Sequence, residues 1–178
     1  NKVNLWSKNK DIYNSINDKK INSKYLPELK LNSSINITLN LEDCFIEDEI
    51  LLIAIPSSGV EQLSKRINDL KLKSNKFILA SKGIENKLFM TMSEIFKNNT
   101  NVDDDKIFVL AGPNLANEIA DNYPAATVMA GSSSKEMKKI ISSFNNDAFK
   151  VFLSDDKKGI ELAGALKNIY AISSGLSD

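Results

Sequence analysis

A lysine set inside an apolar helical run is the residue in this chain best placed to do chemistry. Lys167 follows Ala165-Leu166 and precedes Ile169, Ala171 and Ile172. Its ammonium can reach outward along its own stem to water. If it is buried instead, desolvation lowers its pKa towards that of a useful base. Asn168 beside it carries an amide able to bind a second polar atom, and Glu161 pairs with a nearby cation or caps the turn. The chain has no histidine. A general base here is therefore a carboxylate, lysine, tyrosine or cysteine, and a histidine-bearing metal or hydrolase site is excluded within the segment.

Three loops carry the other candidates. Pro56-Ser57-Ser58-Gly59 can offer backbone N–H groups at a helix start, which favours an anionic or polar ligand; the competing reading is ordinary turn chemistry. Lys82, in Ser81-Lys82-Gly83, is a cation at a strand end or a solvated surface lysine. Gly112-Pro113-Asn114 joins a close-approach glycine, a rigid turn and a side chain that donates and accepts. Its plainer role is helix capping by Asn114.

The elements that position these loops follow from hydrophobic pattern. Val3 to Trp6 reads as a short strand, residues 9 to 18 as a polar helix, and Ile35 to Leu39 as an outer strand. The run Ile50 to Ile55, ended by Pro56, suits a strand buried on both faces. Val60, Leu63, Ile67 and Leu70 recur at helical spacing, as do Leu88, Met92, Ile95 and Phe96. Further strands are expected at Phe77 to Ala80, Ile107 to Ala111, Ala125 to Ala130 and Phe149 to Leu153. Helices are expected over Leu115 to Asp121, over 135 to 145, and from Lys158 onward. Strands separated by helices predict an α/β fold with a doubly wound, mostly parallel, Rossmann-like sheet. In such a sheet ligands bind beyond the carboxyl ends of the strands, and all three loops fall there. The predicted domains are residues 1–156, a partial dinucleotide-binding domain, and 157–178, the beginning of a helical substrate domain.

Composition narrows the class. With 178 residues, 42% of them hydrophobic, and 23 basic against 23 acidic side chains, the chain suits a globular protein. No basic stripe marks a nucleic-acid binder, and no run has the length or purity of a membrane span. Cys44 is alone, so no intrachain disulfide forms, and an intracellular, cytoplasmic setting is expected. The opening NKVNLW reads as a strand without a leader.

The ordered motifs resemble NAD(P)-dependent glycerol-3-phosphate dehydrogenase of the bacterial type. They are Val3-Asn4-Leu5-Trp6, residues 22 to 27 (NSKYLP), Ala54-Ile55-Pro56-Ser57, Ser81-Lys82-Gly83-Ile84-Glu85, residues 112 to 118 (GPNLANE), residues 154 to 159 (SDDKKG) and residues 164 to 172 (GALKNIYAI). The resemblance implies hydride transfer between the C2 of sn-glycerol 3-phosphate and the nicotinamide C4, with dihydroxyacetone phosphate as the ketone and no metal. It makes Lys167 the general acid–base, gives Lys82 contacts to substrate and cofactor, and gives substrate contacts to Gly112, Asn114 and Asn168. Pro56 and Ala116 fall at cofactor contacts. Lys8 stands near the adenosine ribose, where a cation favours NADPH over NADH. A homodimer is a further expectation, dimers being common among related dehydrogenases. Asn114 departs from the serine or threonine frequent at its position.

The family's opening strand and glycine-rich turn have no counterpart here, nor do the later aspartate and Arg-Asn segment. The expectation is thus an internal piece of a protein about twice as long, inactive by itself. Two competing readings are a non-catalytic nucleotide-binding or assembly module and another lysine-based dehydrogenase, of hydroxyacid or 6-phosphogluconate type.

Overall fold

The computed structural model describes residues 2–72 and 76–177. Two compact units divide the chain, Asn1–Glu49 and Ile50–Asp178.

In the first unit, β1 (Val3–Trp6) runs parallel to β4 (Ile35–Thr38), with Val3 opposite Ile35 and Trp6 opposite Thr38. Between them come α1 (Lys10–Lys19) and a small antiparallel pair, β2 (Ile21–Asn22) with β3 (Leu26–Lys30). The Asn9 side chain starts α1 by accepting from the Asp11 and Ile12 N–H groups, satisfying donors that a first turn leaves unpaired. Lys20, at φ 56°, stops it in a left-handed cap. Ile16 and Leu41 are the unit's buried apolar residues. The pattern missed the β2–β3 pair because Pro27 and the charges at Glu28 and Lys30 break any apolar alternation.

The second unit holds a five-stranded sheet in the order β5 (Ile50–Ile53), β6 (Lys76–Leu79), β7 (Ile107–Ala111), β8 (Ala125–Ala130), β9 (Phe149–Ser154). Every neighbouring pair is parallel except β7 with β8. Its helices are α2 (Val60–Asp69), α3 (Met92–Asn99), α4 (Ala116–Ala120), α5 (Ser134–Ile141) and α6 (Lys157–Ser177). Alternate residues of one strand point to opposite faces, and β6 uses both. Phe77 meets the Phe96 ring of α3 with centroids 5.0 Å apart, whereas Ile78 joins Phe108, Met129 and Val151 under Met137 and Ile140 of α5. Helices therefore cover both faces, as a doubly wound sheet requires.

Two expectations shift. The Ile50 to Ile55 run is shorter as a strand, and Leu52 is 45% exposed, because β5 is the edge of its own sheet. The third helix begins at Met92, not near Leu88, since Thr91 and Glu94 form a capping box. Leu88 and Phe89 lie before it on an exposed loop, Phe89 at φ 55°. Thr91→Ala, which removes the cap, is expected to cost about 1 kcal/mol in chemical denaturation, the usual size of an N-cap loss.

Candidate active site

Because β5, β6 and β7 are parallel neighbours, the loops after Ile53, Leu79 and Ala111 all leave the same edge of the sheet. The first two are bonded together. The Ser81 hydroxyl donates to the Ile55 carbonyl at 2.6 Å. A Cβ on Gly83 would lie 2.8 Å from Ser57 Cβ, so only glycine lets this loop close onto the Ser57 turn. No side chain caps that turn or the start of α2 beyond it, which leaves first-turn N–H donors open to an anion. Pro56 is exposed at the head of the turn.

Lys82 binds the third loop: its Nζ donates to the Gly112 carbonyl at 2.7 Å. Its pKa is lowered, first by burial and then by the charge of Lys167. Lys82 is exposed, yet its ammonium is tethered to the Gly112 carbonyl and does not extend freely into solvent. Gly112 is confined too. A Cβ there would sit 2.9 Å from the Ala126 carbonyl oxygen, Thr127 Cα and Thr127 Oγ1.

Asn114 does not cap α4; the N-cap position is Leu115, with no side-chain bond. The Asn114 Oδ1 is instead buried without a hydrogen-bond partner, as is Thr127 Oγ1. An unpaired buried acceptor is costly and asks for a ligand's donor. Gly112, Asn114, Glu118, Thr127 and Phe152 are among the residues lining a cavity of about 290 Å³. Ala116, the first residue of α4, is exposed.

Lys167 comes to this edge on α6. Gly164, one turn earlier, packs so that a Cβ would be 3.4 Å from Ala111 Cβ and 4.0 Å from Lys82 Cγ. The start of α6 is anchored at several points. The Asp156 carboxylate accepts from Gly159 N–H, and Lys157 bonds Asp104 at 2.9 Å and the Ile107 carbonyl at 3.3 Å. Lys158 pairs with Glu94 at 2.9 Å. Both Glu161 carboxylate oxygens accept hydrogen bonds from Ser93, on α3, while its charge also acts on the nearby Lys158 ammonium. Lys167 is half-buried, and from Asn168 the helix is exposed.

Lys82, Gly112 and Lys167 therefore share one place, with Asn114 two residues from Gly112 and Ser57 against Gly83. Lys8 is exposed in the first unit, between the end of β1 and the capped start of α1. The partners Ser93 and Thr127 were missed. A serine or threonine carries no spacing signal, whereas the carboxylate of Glu161 amid apolar residues does. A larger cavity, about 550 Å³, lies in the first unit, but its Asn4, Thr38 and Asp43 bond to one another.

A mostly parallel sheet with helices on both faces, its polar loops gathered at the strand carboxyl ends, defines a Rossmann-like α/β protein. Beyond the fold, the family description "NAD-dependent glycerol-3-phosphate dehydrogenase N-terminus" matches residues 1–138. The chain belongs to the NAD-dependent glycerol-3-phosphate dehydrogenase family. It is 36% identical over 174 residues to glycerol-3-phosphate dehydrogenase [NAD(P)+] of Staphylococcus saprophyticus, covering 97% of this chain and 52% of that relative. It is also 36% identical over 172 residues to the Acinetobacter baumannii enzyme of the same name, covering 97% and 47%. The crystal structure of glycerol-3-phosphate dehydrogenase from Coxiella burnetii superposes with a TM-score of 0.86 at 28% identity, over 99% of this chain and 54% of that one. A pyrroline-5-carboxylate reductase from Coxiella burnetii, at 12% identity and TM-score 0.60, shares the fold alone. The chain spans about half the length of the curated relatives it matches. Among the described residues, no helix is long and apolar enough to cross a membrane.

Proposed function

We propose that, in a polypeptide of the relatives' length, this segment supplies the catalytic lysine and much of the cofactor half of a cytoplasmic enzyme interconverting sn-glycerol 3-phosphate and dihydroxyacetone phosphate. The observation that carries this is Lys82 tied to the Gly112 carbonyl, with Gly164 of α6 packed towards its stem one turn before Lys167, and the unpaired Asn114 Oδ1 two residues from Gly112. The uncapped turn after Pro56 fits an anionic cofactor group; the family resemblance further gives Pro56, Lys82 and Ala116 as NAD(P) contacts and Lys8 as the cation that would select the ribose. When bound, a nicotinamide cofactor supplies or accepts the hydride.

The rest is the work of the chain's own side chains. As a ketone is reduced, negative charge grows on its oxygen. Protonated Lys167 stabilises that charge and delivers the proton to the C2 oxygen; in the reverse direction it accepts the hydroxyl proton. Lys82, a cation held against Gly112, orients the substrate. Asn114 and Asn168 offer amides to the substrate's remaining oxygens.

The test on the full-length polypeptide is oxidation of the reduced cofactor with dihydroxyacetone phosphate and with a panel of 2-keto acids, and reduction of the oxidised cofactor with sn-glycerol 3-phosphate and with 6-phosphogluconate. Turnover selective for dihydroxyacetone phosphate is expected; selectivity for an acid, or binding without turnover, sinks the proposal. Residues 1–178 alone are expected to show no appreciable turnover. NADPH is the preferred cofactor in this reading, through Lys8. Lys8→Glu should shift the NADPH-to-NADH ratio of kcat/KM by about tenfold towards NADH, the worth of one screened charge contact at roughly 1.4 kcal/mol. An unchanged ratio removes Lys8 from the ribose site.

A further inference from the structure

Glu161 is 6% exposed, and a buried carboxylate is tolerated only where its charge is compensated. Here one oxygen accepts from the Ser93 N–H at 2.8 Å and the other from the Ser93 hydroxyl at 2.5 Å. Ser93 lies in the first turn of α3, where N–H groups lack intrahelical partners and the dipole favours negative charge. Thr91 takes the Glu94 N–H at the same helix start. Glu161 thus completes the cap of a helix 68 residues away.

That helix is joined to the Lys82 loop. Residues 80 to 90 run directly into α3, with Ser81 fixed to Ile55, and Ile84 bridges to Thr91. Bonded links therefore lead from Lys82 through Ile84, Thr91 and Ser93 to Glu161, and along a rigid helix to Gly164 and Lys167. We propose that Glu161 is a positioning residue: its bonds to Ser93 set the rotation of α6 and so the spacing between Lys82 and Lys167. The functional weight of that spacing rests on the function proposed above. The other anchors differ in kind. Lys157 ties α6 to the start of β7, and the Lys158–Glu94 pair is solvent-exposed, a class of ion pair that contributes little. Rotation matters because a side-chain tip about 6 Å from a helix axis travels about 2 Å for each 20° of turn. Misplacing a reacting group by about 1 Å can cost on the order of a hundredfold in rate.

The experiment titrates the Lys82 ammonium by NMR in the full-length polypeptide, comparing wild type with Glu161→Gln, Glu161→Ala, Ser93→Ala and Lys167→Met. In the wild type, Lys82 titrates below an ordinary lysine. Lys167→Met gives the raised value that follows when the Lys167 charge is gone. Glu161→Ala is expected to move Lys82 upward towards that value. Glu161→Gln should keep it low, since an amide can accept from the Ser93 N–H and donate to its hydroxyl. An unmoved Lys82 in a Glu161→Ala protein with native amide dispersion overturns the proposal. Should Glu161→Ala fail to fold, Ser93→Ala decides. It removes only the hydroxyl bond, and it should produce a smaller upward shift; no shift overturns the proposal equally. In the full-length polypeptide, Glu161→Ala is expected to lower kcat for dihydroxyacetone phosphate about 10- to 100-fold with cofactor Kd unchanged. If Lys82 follows Glu161 while the wild-type full-length chain turns over no dihydroxyacetone phosphate, the positioning role of Glu161 stands and the proposed function falls.

Discussion

Lys167→Met in the full-length polypeptide is expected to lower kcat for dihydroxyacetone phosphate about a thousandfold, within the usual range for losing a general acid. That loss corresponds to about 4 kcal/mol of transition-state stabilisation. KM should change far less, because the proton is delivered as charge develops and not on binding. Methionine keeps the stem and its packing beside Gly164, so the fold is expected to survive. The electrostatic consequence is separate and signed. Lys82 has its pKa lowered by burial first and by Lys167 second. Removing the Lys167 charge therefore raises the Lys82 pKa part of the way back, with burial still holding it below an ordinary lysine. Lys167→Arg separates the two roles. Arginine keeps the charge beside Lys82 yet does not give up a proton near neutral pH, so it should leave Lys82 low and kcat still depressed. Retention of kcat within tenfold in Lys167→Met would assign the proton to another group.

How much of this was legible in the sequence depends on which signal each feature carried. The three loops were legible because each follows a compact apolar strand, and parallel neighbours deliver their carboxyl ends to one edge. Lys167 was legible as a charge where periodicity demands an apolar residue. The antiparallel β8 was not legible. Residues 112 to 124 are long enough for a crossover and include a short helix, so their length does not distinguish a return strand from a parallel one. The start of α3 was misjudged because Leu88 matches helical spacing with Met92 and Ile95. A capping box outweighs that match, and it leaves Leu88 71% exposed. Glu161 was noticed for a nearby cation, and Lys158 does feel its charge, but its hydrogen-bond partner was not legible. Its bond crosses 68 residues to a serine, and no local rule points that far. The choice between capping and ligand binding at Asn114 also needed three dimensions, since both readings use the same side chain at the same turn.

Gly112→Ala is expected to destabilise the protein by about 1–3 kcal/mol, the range for overpacking a tight site, although it adds a single methyl group. The added Cβ would meet the Ala126 carbonyl oxygen and Thr127 Cα at 2.9 Å. Both are backbone atoms of β8, so no rotamer change relieves the contact, and β7 and β8 must separate at that end. The displacement would also carry away the Gly112 carbonyl that holds Lys82. Stability and substrate affinity should therefore fall together, the first by thermal unfolding and the second by calorimetry with dihydroxyacetone phosphate on the full-length chain. Gly164→Ala is the matched control on the other side of Lys82. Its Cβ would come no closer than 3.4 Å to Ala111 Cβ, an ordinary contact. Replacing a helical glycine by alanine gains up to about 1 kcal/mol of helix propensity. The control should hold or raise stability, while Gly112→Ala lowers it. Equal tolerance of both substitutions would mean that β7 and β8 part easily at the Gly112 end, and that the Lys82 tether does not depend on their close approach.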